Sequence, residues 1–422
     1  MKQIERTDEI AASTAEFASA SLKISFVEFV GLTAALMALT ALSIDIMLPA
    51  LPEIGAALGV GSENDRQLIV IIYMVGFATG QLIYGPLSDR FGRRPVLLGG
   101  LAIFVIGTLA ALVPGSFETL LAARLVQGLG AASPRVVAVA VVRDRYSGRQ
   151  MARVMSFAMM VFIIIPVFAP SIGQGLIHLG NWRWTFYALL AMGLAITVWA
   201  GLRLPETGHR KNQPGRPVSL WDSFKMAVLE PQTMGYGAAS GFMFGCLLAY
   251  VASAQQIFVE VFGLGSSFPL MFGAVASVMA VASFLNSRLV GGLGMRRVSH
   301  TALAGFLTVS LMMAAVAESG HASLAVFAVL MASAFFLFGL IAPNFNALAM
   351  EKQGENAGMA SSVIGSLSTA IGAIAGGVIA RSFDGTALPL ALGFAGCSLI
   401  TCAIVFAVDG FPGFFGRNRP VL

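Results

Sequence analysis

Asp45 is the one acid that the sequence places well inside a long apolar run, Leu42-Ser-Ile-Asp-Ile-Met-Leu-Pro-Ala-Leu-Pro52. A carboxylate at membrane depth is costly in its charged form and usually faces a cavity. Such a group suits the work of taking up and releasing a proton. Two structural roles compete with that one: a hydrogen bond at the bend near Pro49, or a fixed ion pair. Glu28, Glu53, Glu260 and Asp409 fall near the ends of apolar runs instead. Arg124 and Arg135 share another apolar run, 11 residues apart. They differ by only about 20° around a helix and stand about 16 Å apart along it, with Gln127 and Ala131 on the same face. A polar face in a lipid-soluble helix should line a cleft. The competing readings are that Arg124 pairs only with loop acids or backbone, and that Arg135 snorkels to the nearer surface, although about 12 Å of helix separates it from Arg143.

Uncharged polar groups recur in later runs: Tyr250, Gln255 and Gln256, then Asn344 and Asn346. They are suited to lining a cavity and bonding a ligand, and equally to bonding a neighbouring helix. Gly128, Gly130 and Ala131, and likewise Gly372, Gly376 and Gly377, read as close helix contacts. No Gly-x-x-x-x-Gly-Lys-Ser/Thr loop supports ATP drive. Cys246, Cys397 and Cys402 lie in apolar runs without metal-ligand or disulfide spacing. His178, His209, His300 and His321 fall at run ends or between runs. No Ser/His/Asp set stands out. Neither an enzyme, a metal site nor a cofactor is expected, and ATP drive has no support.

The elements that must position these residues are membrane spans. Hydrophobic residues make up 57% of the 422 and charged residues 11%, against about 45–50% and about 25% in soluble domains. The net charge of +5 does not point to nucleic acid, because the cations sit in short spacers and form no solvated basic face. A spanning helix needs about 20 mainly apolar residues. Twelve segments qualify: 24–50, 66–87, 95–113, 119–142, 152–177 and 183–204, then 234–259, 268–289, 298–317, 322–349, 357–380 and 386–408. They divide the chain into a polar N-terminal tail at 1–23, a six-helix bundle at 24–204, a linker at 205–232, a second bundle at 233–409 and a tail at 410–422. The first tail carries Glu5, Asp8, Glu9 and Glu16 and reads as a cytoplasmic arm, not a signal peptide.

Of the 26 Lys and Arg, 21 fall on the side that holds both termini, and only Arg66, Arg183 and Arg381 on the other. Lys and Arg favour the cytoplasmic side, so both termini are expected there. A repeat supports two parallel halves. Gly85-Pro-Leu-Ser-Asp-Arg-Phe-Gly-Arg-Arg-Pro95 follows the second span and Leu293-Gly-Met-Arg-Arg297 the eighth, an offset of 202 residues between Gly92 and Gly294. Parallel halves with a cleft between them that opens to each side in turn are a known transporter plan.

The segment from Gly85 to Pro95 resembles the loop signature of the major facilitator superfamily. The stretch around Asp45, and Arg124-Leu-Val-Gln-Gly-Leu-Gly130 followed by Arg143-Asp144, resemble the Bcr/CflA drug-resistance group. The resemblance covers nearly the whole chain. It implies an all-α membrane protein with 12 transmembrane helices in two six-helix bundles, sited in a bacterial inner membrane. The implied activity is proton-coupled antiport of small antimicrobial molecules, and the rival within the same fold is transport of a native metabolite. The partners expected are a small-molecule substrate, protons and the lipid bilayer, with the chain a monomer. Asp45, Arg124, Gln127 and Arg135 are the expected coupling residues. Gly85, Asp89, Arg90, Gly92, Arg93 and Arg94 form a conformational latch, in which Asp89 docks on the N-terminus of span eleven near Gly358. Pro166, Pro170 and Gly173 stand where the group has its antiporter signature. Ala169-Pro-Ser-Ile-Gly-Gln174 departs from the usual Gly-Pro-x-x-Gly-Gly, and Arg135 departs from the group as well. With Arg124 and Arg135 facing Asp45 alone, the cleft is expected to prefer neutral or anionic substrates over lipophilic cations.

Overall fold

The computed structural model describes residues 24–146, 148–207, 219–320 and 322–414, and among these no strand occurs. The first half contains α1 (Phe26–Asp45), a short α2 (Leu51–Ala57), α3 (Leu68–Phe91), α4 (Arg93–Leu112), α5 (Phe117–Arg145), α6 (Gly148–Leu179) and α7 (Arg183–Arg203). After α8 (Leu220–Leu229), the second half contains α9 (Pro231–Gln255), α10 (Phe268–Leu293), α11 (Met295–Glu318), α12 (Leu324–Met350), α13 (Ala357–Arg381) and α14 (Leu388–Phe414). Eleven of the described helices are long and apolar enough to cross a membrane. The twelfth long helix is α6, whose apolar part runs Ile164–Leu179.

Local signals set the helix ends. Ser25 accepts the Glu28 N–H at 3.2 Å. Ser116 and Thr119 cap α5 reciprocally, which satisfies two of the donors that every helix start leaves open. Gly92 and Gly294 have φ of 99° and 84° with nearly equal ψ, so the two loops of the sequence repeat turn in the same way.

The repeat extends to packing. In the first half α5 packs on α3 and α4, α1 on α5, α6 and α7, and α4 on α7. In the second, α12 packs on α10 and α11, α9 on α12, α13 and α14, and α11 on α14. Each pair has its counterpart at the repeat offset. The halves meet along two seams that are also counterparts, α3 on α13 and α6 on α10. Small residues allow the close approaches. A Cβ on Gly376 would lie 2.8 Å from that of Leu248, and one on Gly377 would lie 3.0 Å from Ile71 across the α3–α13 seam. The perimeter is apolar: Ile106, Val113, Leu202, Val281, Phe284, Val329, Ile374 and Val378 are each at least 60% exposed. That is the surface a lipid-solvated bundle presents.

The structure departs from the expected segments in three places. The first span breaks at Asp45, and α2 carries it on to Ala57. The linker 205–232 contains α8, which packs on α9 and α13, with Asn356 Nδ2 donating to the Ser223 carbonyl at 2.8 Å. The last helix passes 409, with Gly410 at φ 68° marking a kink. The tail 1–23, most of the linker (208–218) and 415–422 lie outside the described residues.

Candidate functional site

Asp45 ends α1, and the reason is in the sequence that follows. Pro49 and Pro52 carry no N–H, and the chain turns through a 3-10 segment, Leu48–Ala50, before α2 begins. A break at membrane depth leaves backbone carbonyls without partners unless protein supplies them. Arg124 supplies one. Its Nη2 donates to the Ser43 carbonyl at 3.1 Å, its Nε to the Ile69 carbonyl at 3.1 Å, and its Nη1 to Gln127 Oε1. The guanidinium lies 4.3 Å from the Tyr73 ring centroid and is wholly buried. Gln127 donates onward to Thr108 on α4 at 2.8 Å.

These contacts correct the expectation that Arg124 and Gln127 line the cleft. They point into the first bundle, between α1, α3, α4 and α5, and fix the break that presents Asp45. The predicted angular agreement of Arg124 and Arg135 corresponds to an aromatic ladder on α3. Tyr73 and Phe77 stack at 6.5 Å, Arg124 lies over Tyr73, and Arg135 lies 5.9 Å from Phe77. Arg135 is half-buried. With Arg124 withdrawn, the balance of +2 against −1 becomes Arg135 against Asp45, and the argument against cationic substrates loses most of its force.

Asp45 is 4% exposed and has no hydrogen bond or ion pair to a described residue. It lies within electrostatic reach of Tyr73 and of Tyr250 in the other half, and the Leu48–Ala50 turn packs on α9, which carries Tyr250. A fixed ion pair is therefore not its role in this conformation.

The polar groups expected in the second half fall into three kinds. Tyr250 is 1% exposed, and its hydroxyl has no hydrogen-bond partner among the described residues. Leaving a buried hydroxyl unpaired costs about 1–3 kcal/mol. Asn344 is paired with Asn286 at 2.7 Å and with the Leu340 carbonyl, so it joins α12 to α10. Asn346 is exposed, and Gln255 is buried just before α9 widens into a π-helical turn, Gln256–Val261. Gln256 reaches the other half, donating to Asn64 at 3.1 Å and accepting from Gln67.

That contact belongs to a set that bridges the halves on the face opposite the basic one. Arg381 pairs with Asp65 at 2.7 Å and Arg66 with Glu260 at 3.3 Å. Asn64 donates to the carbonyls of Arg381 and Phe383. All the first-half partners come from one turn, Glu63–Gln67. The sequence shows the signal as five consecutive polar residues in a short loop, and the sequence reading passed over it. It also missed Tyr73, Asn286 and the seam bond from Gln81 to Thr369 at 2.7 Å.

In α6, Pro170 and Gly173 are buried and Pro166 is half-buried. A Cβ on Gly173 would collide with the Ile46 carbonyl, next to Asp45, and one on Gly273 of α10 would lie 2.7 Å from the Val167 carbonyl. The antiporter-like segment thus touches the break in α1 on one side and the second half on the other.

The basic-face loop behaves differently from the expected latch. Asp89 pairs with Arg93 at 2.6 Å, and Arg93 also binds Asp144 at 2.7 Å. Among the described residues no hydrogen bond joins Asp89 to α13. The group facing the start of α13 is Arg143, whose Nη2 would lie 3.4 Å from a Cβ on Gly358. Gly85 does allow close approach, since a Cβ there would run into Ser362 of α13. Arg94 bonds the Gly201 carbonyl and Arg90 lies over Phe91. Beside Gly92, Glu206 accepts the N–H groups of Arg93 and Arg94 at 2.7 and 3.1 Å, so an acid caps the positive end of α4.

The family model described as Major Facilitator Superfamily matches residues 33–377. A bicyclomycin resistance protein homolog of Haemophilus influenzae is 33% identical, over 85% of this chain and 90% of its own. The multidrug resistance protein MdtL of Escherichia fergusonii is 28% identical, over 78% of this chain and 83% of its own. Among solved structures, the Escherichia coli xylose transporter XylE superposes with a TM-score of 0.69 at 12% identity, covering 93% of this chain and 98% of its own. That last likeness is one of fold.

Proposed function

The chain belongs to the Major Facilitator Superfamily, and we propose that it is a proton-coupled exporter of small antimicrobial molecules. The observation that carries this reading is Asp45: a buried carboxyl without a partner among the described residues, at a break in α1, where the two halves meet. A charged carboxylate in that setting is costly, so a proton is its natural occupant whenever no other group satisfies it. Exchange of that proton against substrate, with the cleft opening to each side in turn, gives antiport. The names of the drug-resistance relatives support the substrate class. The excess of Lys and Arg on one face supports a bacterial inner membrane location with both termini in the cytoplasm, and a single chain contains both halves of the machinery. Asp89 is assigned to the alternate state, in which release from Arg93 frees it to dock on α13.

The test is expression in a bacterial host deleted of its own exporters, followed by a susceptibility panel of phenicols, bicyclomycin and lipophilic cations, with and without a protonophore. Raised resistance to the neutral drugs that disappears with the protonophore is expected. Resistance that survives collapse of the gradient, or no resistance to any of them, would overturn the reading.

A further inference from the structure

Tyr250 is a buried polar group left without a hydrogen-bond partner among the described residues. Its ring is held on three sides, by Phe272 stacked at 5.2 Å, Phe335 edge-on at 4.8 Å and Phe258 edge-on at 6.2 Å. So clamped, the side chain has no freedom to seek a partner inside its own half. A Phe would pack in the same cage without leaving a hydroxyl unpaired, so packing does not account for the oxygen. Within electrostatic reach of it, beside the Leu48–Ala50 turn that packs on α9, is Asp45, which also lacks a partner among the described residues. The repeat places them together: at the offset of 202, Tyr250 is the counterpart of Leu48, three residues past Asp45, and the turn holding Leu48 packs on α9. The nearest cations are otherwise engaged, Arg124 with three neutral acceptors and Arg135 against Phe77.

We propose that Asp45 and Tyr250 are the two ends of one polar subsite across the seam, which takes a hydroxyl group of an uncharged substrate. The inference rests on the export reading above. A substrate hydroxyl donates to the Asp45 carboxylate and accepts from the Tyr250 O–H, so a single group satisfies both halves and draws them onto itself. A proton on Asp45 leaves only a neutral, weaker acceptor for the hydroxyl in place of the charge-assisted one. Proton and substrate therefore compete for one carboxyl, and Tyr250 ties the second half to the outcome. Tyr250 acts as a specificity-determining residue, because it rewards a hydroxyl and is indifferent to a group that cannot accept its bond.

Thiamphenicol and florfenicol test this, since they differ by one hydroxyl replaced with fluorine. Equilibrium binding of both to purified full-length protein is measured above neutral pH for wild type and Tyr250→Phe. Wild type should prefer thiamphenicol by about tenfold, the worth of one well-placed hydrogen bond. Tyr250→Phe should bind the two alike, with florfenicol affinity unchanged. Equal weakening of both drugs would assign Tyr250 to packing and overturn the subsite, as would preference retained in the variant. The juxtaposition is checked without any drug. In a background free of native cysteines, Asp45→Cys with Tyr250→Cys should be bridged by a short bis-maleimide, joining the halves after cleavage in the linker. Failure to bridge would overturn the subsite while leaving the export reading standing. Absence of binding by wild type to either drug, with bridging intact, would overturn the hydroxyl subsite.

Discussion

The two halves repeat each other helix for helix and differ in what they bury. The first holds Asp45, Arg124 and Arg135 at membrane depth, whereas the second offers Tyr250, Gln255, Ser240 and the Asn286–Asn344 pair, none of them charged at neutral pH. Near the basic face the halves are alike again. Glu206 closes the Gly92 loop and Asp409 closes the Gly294 loop, the latter through Arg296 at 3.0 Å and the Tyr236 hydroxyl at 2.7 Å. Ion pairs at the ends thus hold each bundle in a common shape, and at membrane depth the charged side chains described lie in the first half. The second half then serves as the neutral surface against which the first half works. The cost of charge in a bundle core gives a physical reason for restricting it to one side.

Arg124 is where the comparison breaks most visibly. Arg124→Ala strips the Ser43 and Ile69 carbonyls and Gln127 of their donor at once. A loss of roughly 3–5 kcal/mol of stability follows from three buried groups left unpaired, read as a large fall in the thermal midpoint in detergent. Arg124→Lys should recover less than half of it, because an ammonium cannot make the three-way fork. Full rescue by Lys would mean that charge alone matters, and that the residue faces the cleft after all.

The bridge between the halves gives a smaller effect. The Asp65–Arg381 pair is partly exposed, and such pairs contribute about 0.2–1 kcal/mol. Asp65→Ala should therefore raise the open fraction of that face by about 1.4- to fivefold, measured as the rate at which a thiol reagent labels a cysteine replacing buried Ser253, one helical turn from Gln256. The double exchange Asp65→Arg with Arg381→Asp should restore the slow rate. Equal labelling in all three proteins would remove the pair from the gate.

The smallest effect belongs to the second half. Asn344→Ala breaks one interhelical bond to Asn286, and in membranes such bonds average about 0.6 kcal/mol. A slight fall in thermal midpoint with unaltered transport is expected. Loss of transport at normal stability would place Asn344 in the cleft.

Much of this was legible in the residues. Hydropathy fixed the spans because lipid demands long apolar helices, and the Gly92 and Gly294 loops showed their repeat because a positive φ calls for glycine. Asp45 stood out because the cost of a deep acid is itself the signal. Arg124 was legible only as a face. Helical periodicity says that it points the same way as Arg135, but which neighbour covers that face depends on the Ser43 carbonyl being orphaned, and that orphan exists only once α1 has broken. The bridge was hidden for another reason. Asn64 and Gln67 meet Gln256 from nearly half a chain away, and a polar turn looks the same in sequence whether water or a second bundle completes it.

The central claim is that Asp45 gives up a proton when substrate binds. Purified protein in weakly buffered detergent solution, loaded with thiamphenicol at a pH where the carboxyl is protonated, should acidify the medium with a pH-indicator dye as the readout. The account predicts proton release from wild type and none from Asp45→Asn at saturating drug. Undiminished release from Asp45→Asn would contradict it and place the coupling proton elsewhere.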